Sequence, residues 1–176
     1  RNGNWAQYFA PQGAYPCAGD DQWCTIAVET SEQWEALLLA MGRPVWAEDD
    51  RFGSTQGRLD NHDTIDQHIG QWTKDQDPKA LMQSLLSHGV PAGVVQRSSD
   101  LETDPQLAHR NYFRHLDHQE MGTVPYAGHQ FRIRGYDSGP RFPAPVLGQH
   151  NEQVLREVLG MTDDEVTEAV IAEAIM

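Results

Sequence analysis

The segment WCTIAVETSEQWEALLLAMG, residues 23–42, joins a strand pattern directly to a helix pattern. Residues 23–28 are rich in β-branched and aromatic side chains, which predicts a buried strand. Thr30 and Gln33 have the spacing of a capping box, and Gly42 provides a stop signal. Between them an apolar stripe at helical spacing is formed by Trp34, Leu37, Leu38 and Met41. The segment predicts a sheet packed against helices.

The residues before this segment are rich in glycine, proline and aromatic side chains. Residues 1–17 include Pro11, Gly13 and Pro16. Proline removes a backbone donor and glycine adds backbone freedom, so this composition predicts an irregular loop.

Two further helices are predicted after the first one. One carries Ile65, Ile69 and Trp72 on a single face, and the other begins at the N-cap Asp77 and ends at Gly89. The inward face of the latter is predicted to carry Met82, Leu85 and Leu86.

Strand patterns and a proline-rich stretch follow. Residues 90–96 predict a short strand, and residues 111–134 predict further strands because apolar and basic side chains alternate at 131–134. Residues 139–145 contain three prolines, which favour an extended linker.

The tail beyond this linker is predicted to be helical. A first stripe is formed by Val154, Leu155, Val158 and Leu159. Thr162 and Glu165 have the capping-box spacing for a final helix. Apolar stripes of this kind need a covering surface, so the tail is expected to expose apolar area unless a partner buries it.

Composition and charge exclude several classes of function. The chain has 176 residues and a formal charge of −13, which repels a polyphosphate backbone and argues against a nucleic-acid partner. No apolar run approaches the roughly 20 residues of a membrane span. We therefore expect a cytoplasmic protein with no membrane partner. The spacing of Cys17 and Cys24 fits neither a zinc knuckle nor a redox pair and predicts structural thiols.

Several short motifs, taken in their order, resemble the family III CoA-transferases. They are APQGAYPC at residues 10–17, DDRF at 49–52, GVPAG at 89–93, DPQL at 104–107 and APVLGQHN at 144–151. Each motif alone is weak, but their order along most of the chain makes a chance resemblance improbable.

The resemblance implies an α+β fold: a small family III domain, in which a sheet is flanked by helices, together with a Rossmann-like large domain. It implies a small domain at residues 1–112, connecting strands and the proline-rich linker at 113–145, and C-terminal helices at 146–176 that return to the large domain. Two such subunits are expected to form an intertwined homodimer.

The implied activity is transfer of CoA from an acyl-CoA donor to a carboxylic acid through an aspartyl intermediate. The family's nucleophilic aspartate lies upstream of the motifs found here, so it is expected in a missing N-terminal part, and the chain alone is expected to be inactive. Coenzyme A thioester is a substrate, and no bound cofactor is expected. Two alternatives remain open: an acyl-CoA racemase of the same superfamily, and a catalytically silent interaction module.

The resemblance also suggests substrate-lining residues. Formyl-CoA transferases carry a glycine-rich loop that closes over the thioester at the position of residues 10–16. This gives four candidates, Gln12, Gly13, Ala14 and Tyr15. Asp21, beside Asp20, lies near the place where the racemase branch has a supporting glutamate, and the alternative for this acidic pair is a solvated turn.

Two further clusters are given structural interpretations. The histidines His109, His115 and His118 lack a regular metal-ligand spacing, so no metal site is expected. The basic cluster of Arg132, Arg134 and Arg141 has side chains that bind phosphate or carboxylate, and ion pairs with the chain's own carboxylates are its expected use.

Overall fold

The computed structural model describes Gly3, Trp5 and residues 7–175. The chain divides into two compact units, Arg1–Gln96 and Arg97–Met176. Helices and small antiparallel sheets occur along it, so the predicted α+β class is confirmed. The predicted domain bounds at residues 112 and 145 stay predictions. Within the described ranges, no helix combines the length and the apolar character that crossing a bilayer requires.

In the first unit, helices pack on one face of an antiparallel sheet. The strands are β1 (Gln12–Pro16), β2 (Trp23–Ala27) and β3 (Ala92–Val94). The helices are α1 (Ser31–Ala40), α2 (Thr55–Asp60), α3 (His62–Thr73) and α4 (Pro78–Ser87), with 3₁₀ turns at Val45–Glu48 and Asp50–Phe52. The strand order β1-β2-β3 places the predicted strand at the centre of the sheet.

The predicted N-terminal loop is wrong for residues 12–16, which form β1. In the β1–β2 pair, Gln12 lies opposite Ala27, and Pro16 lies opposite Trp23. Backbone pairing with β2 determines this conformation, and local composition does not reveal it. Proline is tolerated because it occupies the end of an edge strand.

The predicted start of α1 is confirmed. Oγ1 of Thr30 accepts a hydrogen bond from the backbone N of Gln33 at 3.2 Å, and Oε1 of Gln33 accepts one from the backbone N of Thr30 at 3.3 Å. Gly42 follows the helix with a positive φ of 76°, a conformation that glycine adopts without steric strain. The buried face of α1 carries Trp34, Leu37 and Leu38.

The core of the first unit lies between the sheet and the helices. Its fully or nearly buried side chains are Tyr15, Cys17, Cys24, Ile26, Val28, Trp34, Leu37, Leu38, Phe52, Ile65, Ile69, Leu81, Leu85 and Val90. Alternate residues of β2 enter it, because successive side chains of a strand point to opposite faces. The free thiols of Cys17 and Cys24 are buried there, as expected of structural cysteines.

The α4 helix begins as predicted, but its predicted inward face is partly wrong. Oδ1 of Asp77 accepts a hydrogen bond from the backbone N of Ala80 at 2.8 Å. Leu81 and Leu85 are buried, whereas Leu86 is 51% exposed. Residues four apart lie on one helix face, so the pair at 81 and 85 covers the core and position 86 turns away from it.

The second unit combines short helices with a hairpin. Its helices are α5 (Ser98–Glu102), α6 (Pro105–His109), α7 (Asn151–Gln153) and α8 (Asp163–Ile171), and its strands are β4 (Phe113–His118) and β5 (Gly122–Ala127). The strands β4 and β5 pair antiparallel from Phe113 opposite Ala127 to His118 opposite Gly122. The capping box of Thr162 with Glu165 starts α8 as predicted.

One strand prediction for this unit is wrong, and the helical tail forms with a local irregularity. Residues 131–134 form no strand, and Ile133 makes only an isolated bridge with Tyr136. The predicted helix after the linker forms as α7 followed by a π-helical turn at Val154–Val158. Within this unit Val158 is 73% exposed, so the apolar stripe of the tail is open, as its sequence predicts.

Candidate functional site

Three of the candidate residues line one groove on the sheet. Gln12, Gly13 and Ala14 of β1 border a groove of about 570 Å³. Ala14 pairs with Thr25 of β2, and Thr25 pairs with Gly93 of β3. Residues with a small side chain or none therefore form a row across the strands. Their small size leaves the groove open.

Tyr15, the fourth β1 candidate, is directed into the core instead. Its hydroxyl donates a hydrogen bond of 2.6 Å to Oδ1 of Asp66 on α3. Burial and the neighbouring Asp66 carboxylate raise the pKa of Tyr15. The raised pKa favours the protonated phenol as the hydrogen-bond donor, and the contact ties β1 to α3.

The Asp66 carboxyl group is held in a partly desolvated position. Burial raises the pKa of Asp66 above its ordinary value, while the hydrogen bond from Tyr15 and the field of His62 oppose this shift. Desolvation is the largest of these effects. Protonation of Asp66 is consequently easier in the folded protein than in the unfolded chain.

Gly13 fits closely against the Tyr15 ring. A Cβ atom on Gly13 would lie 3.1 Å from both Cζ and the hydroxyl oxygen of Tyr15. This is closer than ordinary van der Waals contact, so a Cβ at position 13 would require the phenol ring to shift by a few tenths of an ångström. The glycine thus leaves room for the Tyr15 ring in the position from which its hydroxyl contacts Asp66.

A smaller polar cavity of about 220 Å³ adjoins the same strand. Gln12, His62 and Asp66 line it together with the apolar side chains of Phe9 and Leu59. In the described part of the chain, Oε1 of Gln12 and Nε2 of His62 are the buried side-chain N or O atoms that lack a hydrogen-bond partner. Both belong to residues that line this cavity. An unpaired buried acceptor favours a bound group with an N–H or O–H donor.

The His62 ring is oriented by its other nitrogen. Nδ1 lies 3.1 Å from the carbonyl oxygen of Leu59, so Nδ1 carries the proton that is donated there. Nε2 lies 3.1 Å from Oδ1 of Asp63, without the geometry of a hydrogen bond. Nε2 of His62, like Oε1 of Gln12, is therefore buried without a hydrogen bond among the described residues.

Arg58 fixes the segment that leads into β1. The side chain of Arg58 is fully buried, and its Nε donates a hydrogen bond of 3.0 Å to the carbonyl oxygen of Ala10. Ala10 lies two residues before Gln12, so this contact helps to define where β1 begins. Burial lowers the pKa of Arg58.

Asp21 lies apart from these residues. It belongs to the turn between β1 and β2, at the Pro16–Trp23 end of the hairpin and far from Gln12. Its φ is +49°, and its Oδ1 accepts a hydrogen bond of 2.8 Å from Nε1 of Trp23. Asp21 borders neither the groove nor the polar cavity. These contacts match the interpretation as a turn residue.

The histidines of the second unit do not converge. Nδ1 of His118 accepts hydrogen bonds from the backbone N of Glu120 at 3.1 Å and of Met121 at 3.2 Å, which stabilises the β4–β5 turn. Across the described residues, no group of three or more His, Cys, Asp or Glu side chains is arranged to hold a metal ion.

His62 and Asp66 were not among the residues singled out from the sequence. They are four apart on α3, a spacing that places both on one helix face. That spacing is a usable signal for a shared site. The contact of Asp66 with Tyr15, 51 residues away in sequence, has no local signal.

The family sequence model described as CoA-transferase family III matches residues 1–151. The chain belongs to this family. The resemblance identified from the sequence motifs is thus confirmed.

Several curated CoA-transferases are similar to this family III chain. The probable CoA-transferase Rv1866 of Mycobacterium tuberculosis is 37% identical over 170 residues, which cover 92% of this chain and 20% of that protein. The succinyl-CoA–D-citramalate CoA-transferase of Chloroflexus aurantiacus is 29% identical, with 94% of this chain and 41% of that protein covered. The chain thus spans less than half the length of either relative.

Solved structures support the family III fold. A CAIB/BAIF family protein from Brucella suis superposes with a TM-score of 0.76 at 25% identity, covering 89% of this chain and 39% of that chain. The fold of Rv3272 from Mycobacterium tuberculosis is also similar, with a TM-score of 0.64 at 19% identity, and 82% and 40% of the two chains are covered.

Proposed function

We propose that the chain is part of an acyl-CoA:carboxylate CoA-transferase. The family match over residues 1–151 is the observation that carries this proposal. Relatives named as CoA-transferases, including one named for succinyl-CoA and D-citramalate, support it further. Coenzyme A thioesters and carboxylic acids are the substrates, and the enzyme works as a cytoplasmic homodimer.

The reaction runs through an aspartate that lies outside these 176 residues. Its place is in the part of the full-length protein that corresponds to the remaining length of the relatives. The aspartate carboxylate attacks the acyl-CoA carbonyl, which forms a mixed anhydride and releases the CoA thiolate. The thiolate attacks the aspartyl carbonyl, so that the donor acid leaves and aspartyl-CoA remains. The acceptor carboxylate then repeats the two steps in reverse and leaves as the new acyl-CoA, with the aspartate carboxylate regenerated.

In this proposal β1 supplies one wall of the substrate site. Gln12 borders both the groove and the polar cavity, and its Oε1 has an unused acceptor position. A donor group of a substrate bound in the groove would satisfy that acceptor. Arg58 and the Tyr15–Asp66 hydrogen bond keep the strand in place while the substrates exchange.

The test is CoA transfer by the full-length protein. Mass spectrometry would follow pairs of acyl-CoA donors and carboxylic acids, and hydroxylamine would trap the aspartyl intermediate as a hydroxamate on a peptide outside the 176 residues. The 176-residue chain alone should give no turnover. Deuterium incorporation at the α-carbon of an acyl-CoA without transfer would favour the racemase alternative, and absence of both reactions would favour an interaction module.

The contribution of Gln12 is tested separately. Gln12→Leu in the full-length protein should lower kcat/KM, because the amide that faces the groove and cavity is removed. Gln56→Leu is the matched control, since Gln56 is an exposed side chain on α2 that donates a hydrogen bond to Asp60 and borders neither the groove nor the cavity. Equal kcat/KM for both variants would remove Gln12 from the proposed site.

A further inference from the structure

Another pocket, separate from the groove and the cavity beside β1, is lined only by residues of the second unit. Its volume is about 590 Å³, and its walls come from the end of α6, the start of β4 and residues 128–139. Volumes of roughly 300–1,000 Å³ are typical of small-molecule sites. The proposed transferase chemistry makes no use of this pocket.

The walls of this pocket are mainly aromatic and aliphatic. Leu107 and Tyr112 line one part, and Phe131 and Tyr136 line another. The ring of His129 is stacked on Phe131 with 5.1 Å between centroids and an interplanar angle of 11°. Flat faces of this kind match a planar apolar ligand.

Three guanidinium groups border the same pocket, those of Arg110, Arg114 and Arg132. Asp137 provides the single carboxylate among the lining residues. Arg114 forms an ion pair with Asp137. Nε of Arg110 donates to Oε1 of Gln106 at 2.6 Å, and Arg132 donates to the backbone carbonyl of Arg110. These partners of Arg110 and Arg132 are neutral.

Among the described residues, the charges of Arg110 and Arg132 thus have no carboxylate partner. No described Asp or Glu lies within ion-pair distance of either side chain. The ion pair expected from the sequence for Arg132 does not form among these residues. In a chain with a formal charge of −13, two uncompensated guanidinium groups at one apolar pocket favour an anionic ligand.

We propose that this pocket binds an organic anion in which a carboxylate is joined to a planar apolar body. The carboxylate accepts hydrogen bonds from Arg110 and Arg132, since guanidinium geometry matches a carboxylate. The apolar body lies among Tyr112, Phe131 and Tyr136. The site is distinct from the groove on β1 because both its walls and its charges come from the second unit.

The experiment is calorimetric binding of 2-naphthoate to the full-length protein, with 2-naphthamide as the neutral probe of the same shape. The naphthoate should bind about tenfold more tightly than the amide, because charge-assisted hydrogen bonds are the stronger kind. Arg110→Gln and Arg132→Gln should each remove most of that difference. Arg43→Gln, at an exposed residue paired with Glu35 in the first unit, is the matched control and should leave it unchanged.

Thermal unfolding of each variant would establish that its fold is retained, and CoA transfer should be the same in the arginine variants as in the wild type. Equal affinity for the two probes, no binding of either one, or full affinity in both arginine variants would overturn the proposal. Displacement of the naphthoate by inorganic phosphate at equal concentration would show that the pocket binds anions without recognising an apolar body. That result would also contradict the proposal. Loss of CoA transfer in either variant would contradict a separate site.

Discussion

The guanidinium carbon of Arg58 lies 5.3 Å from the ring centroid of Trp34. Arg58 is fully buried, and its N–H groups donate to the carbonyl oxygens of Ala10 and Phe52 at 3.0 and 3.2 Å and to the hydroxyl of Thr55 at 3.2 Å. The cation is therefore stabilised by oxygen acceptors and an aromatic face. One side chain thus connects α1, α2, a 3₁₀ turn and the segment before β1.

Trp34→Ala should lower the free energy of unfolding by about 3–5 kcal/mol, as large aromatic truncations in cores do. Trp34 is 4% exposed and also contacts the ring of Trp46 edge-on at 6.2 Å between centroids. Urea denaturation would measure the change. Leu39→Ala on the same helix is the control, because Leu39 is 56% exposed and its loss should matter little.

Arg58→Met should destabilise the fold although it keeps an apolar stem. The carbonyl oxygens of Ala10 and Phe52 would lose their donor, and each buried unsatisfied group costs about 1–3 kcal/mol. Arg58→Lys should also destabilise, because an ammonium group cannot reproduce the planar fork. Arg43→Met, at an exposed ion pair with Glu35, should have a far smaller effect on the urea midpoint. Equal midpoints for the variants at positions 43 and 58 would contradict this account.

Asp66 should make stability depend on pH. Its pKa is raised in the folded protein, mainly by burial, so the folded state binds more protons than the unfolded chain at intermediate pH. The stabilisation that this bound proton gives the folded state is complete below the ordinary aspartate pKa of about 3.9. It is lost as pH rises through the raised pKa of Asp66 in the folded protein. His62 and Asp63 also act on this carboxyl group and are kept unchanged in the test.

The measurement compares Asp66→Asn with the wild type by urea unfolding across that pH range. Asparagine retains an oxygen acceptor for the Tyr15 hydroxyl but cannot titrate. The variant should therefore gain stability relative to the wild type as pH rises. Asp75→Asn, at an exposed position after α3, serves as the control and should follow the wild-type slope. Parallel curves for Asp66→Asn and the wild type would exclude the proposed titration.

Limited trypsin digestion should first cut after Arg134 or Arg141. The stretch between β5 and α7 contains no regular helix or strand, and residues 132–137 are exposed. Cleavage of a native protein needs an accessible, extended segment. A double variant, Arg134→Gln with Arg141→Gln, should delay the first cut. A first cut after Arg58 of α2 or Lys79 of α4 in the wild type would contradict this prediction.

The helix starts of this protein were predictable from sequence because the signals are local. The capping boxes at Thr30 and Thr162 and the N-cap at Asp77 each involve residues within three positions of one another. The alternation at residues 131–134 predicted a strand that does not form. Alternation shows only that a strand is possible, whereas a strand also needs a partner edge to pair with.

Long-range contacts account for what the sequence did not show. β1 looks like a loop by composition, and only its pairing with β2 makes it a strand. Gly13 was predicted from the resemblance to line the substrate, and its close contact with the Tyr15 ring has no local signal in the sequence. The placement of Tyr15 depends in turn on Asp66. Three of the four β1 candidates share a groove, and the direction of the fourth depends on a partner 51 residues away.

The two buried thiols can serve as probes of local opening of the core, whatever the function of the protein. Burial raises the pKa of Cys24 to about 11 and also raises the pKa of Cys17. Alkylating reagents react with the thiolate, so neither sulfur reacts at an appreciable rate while both thiols are buried in the folded core. The rate at which iodoacetamide labels each thiol would therefore report how often the core opens around that strand, with no introduced probe.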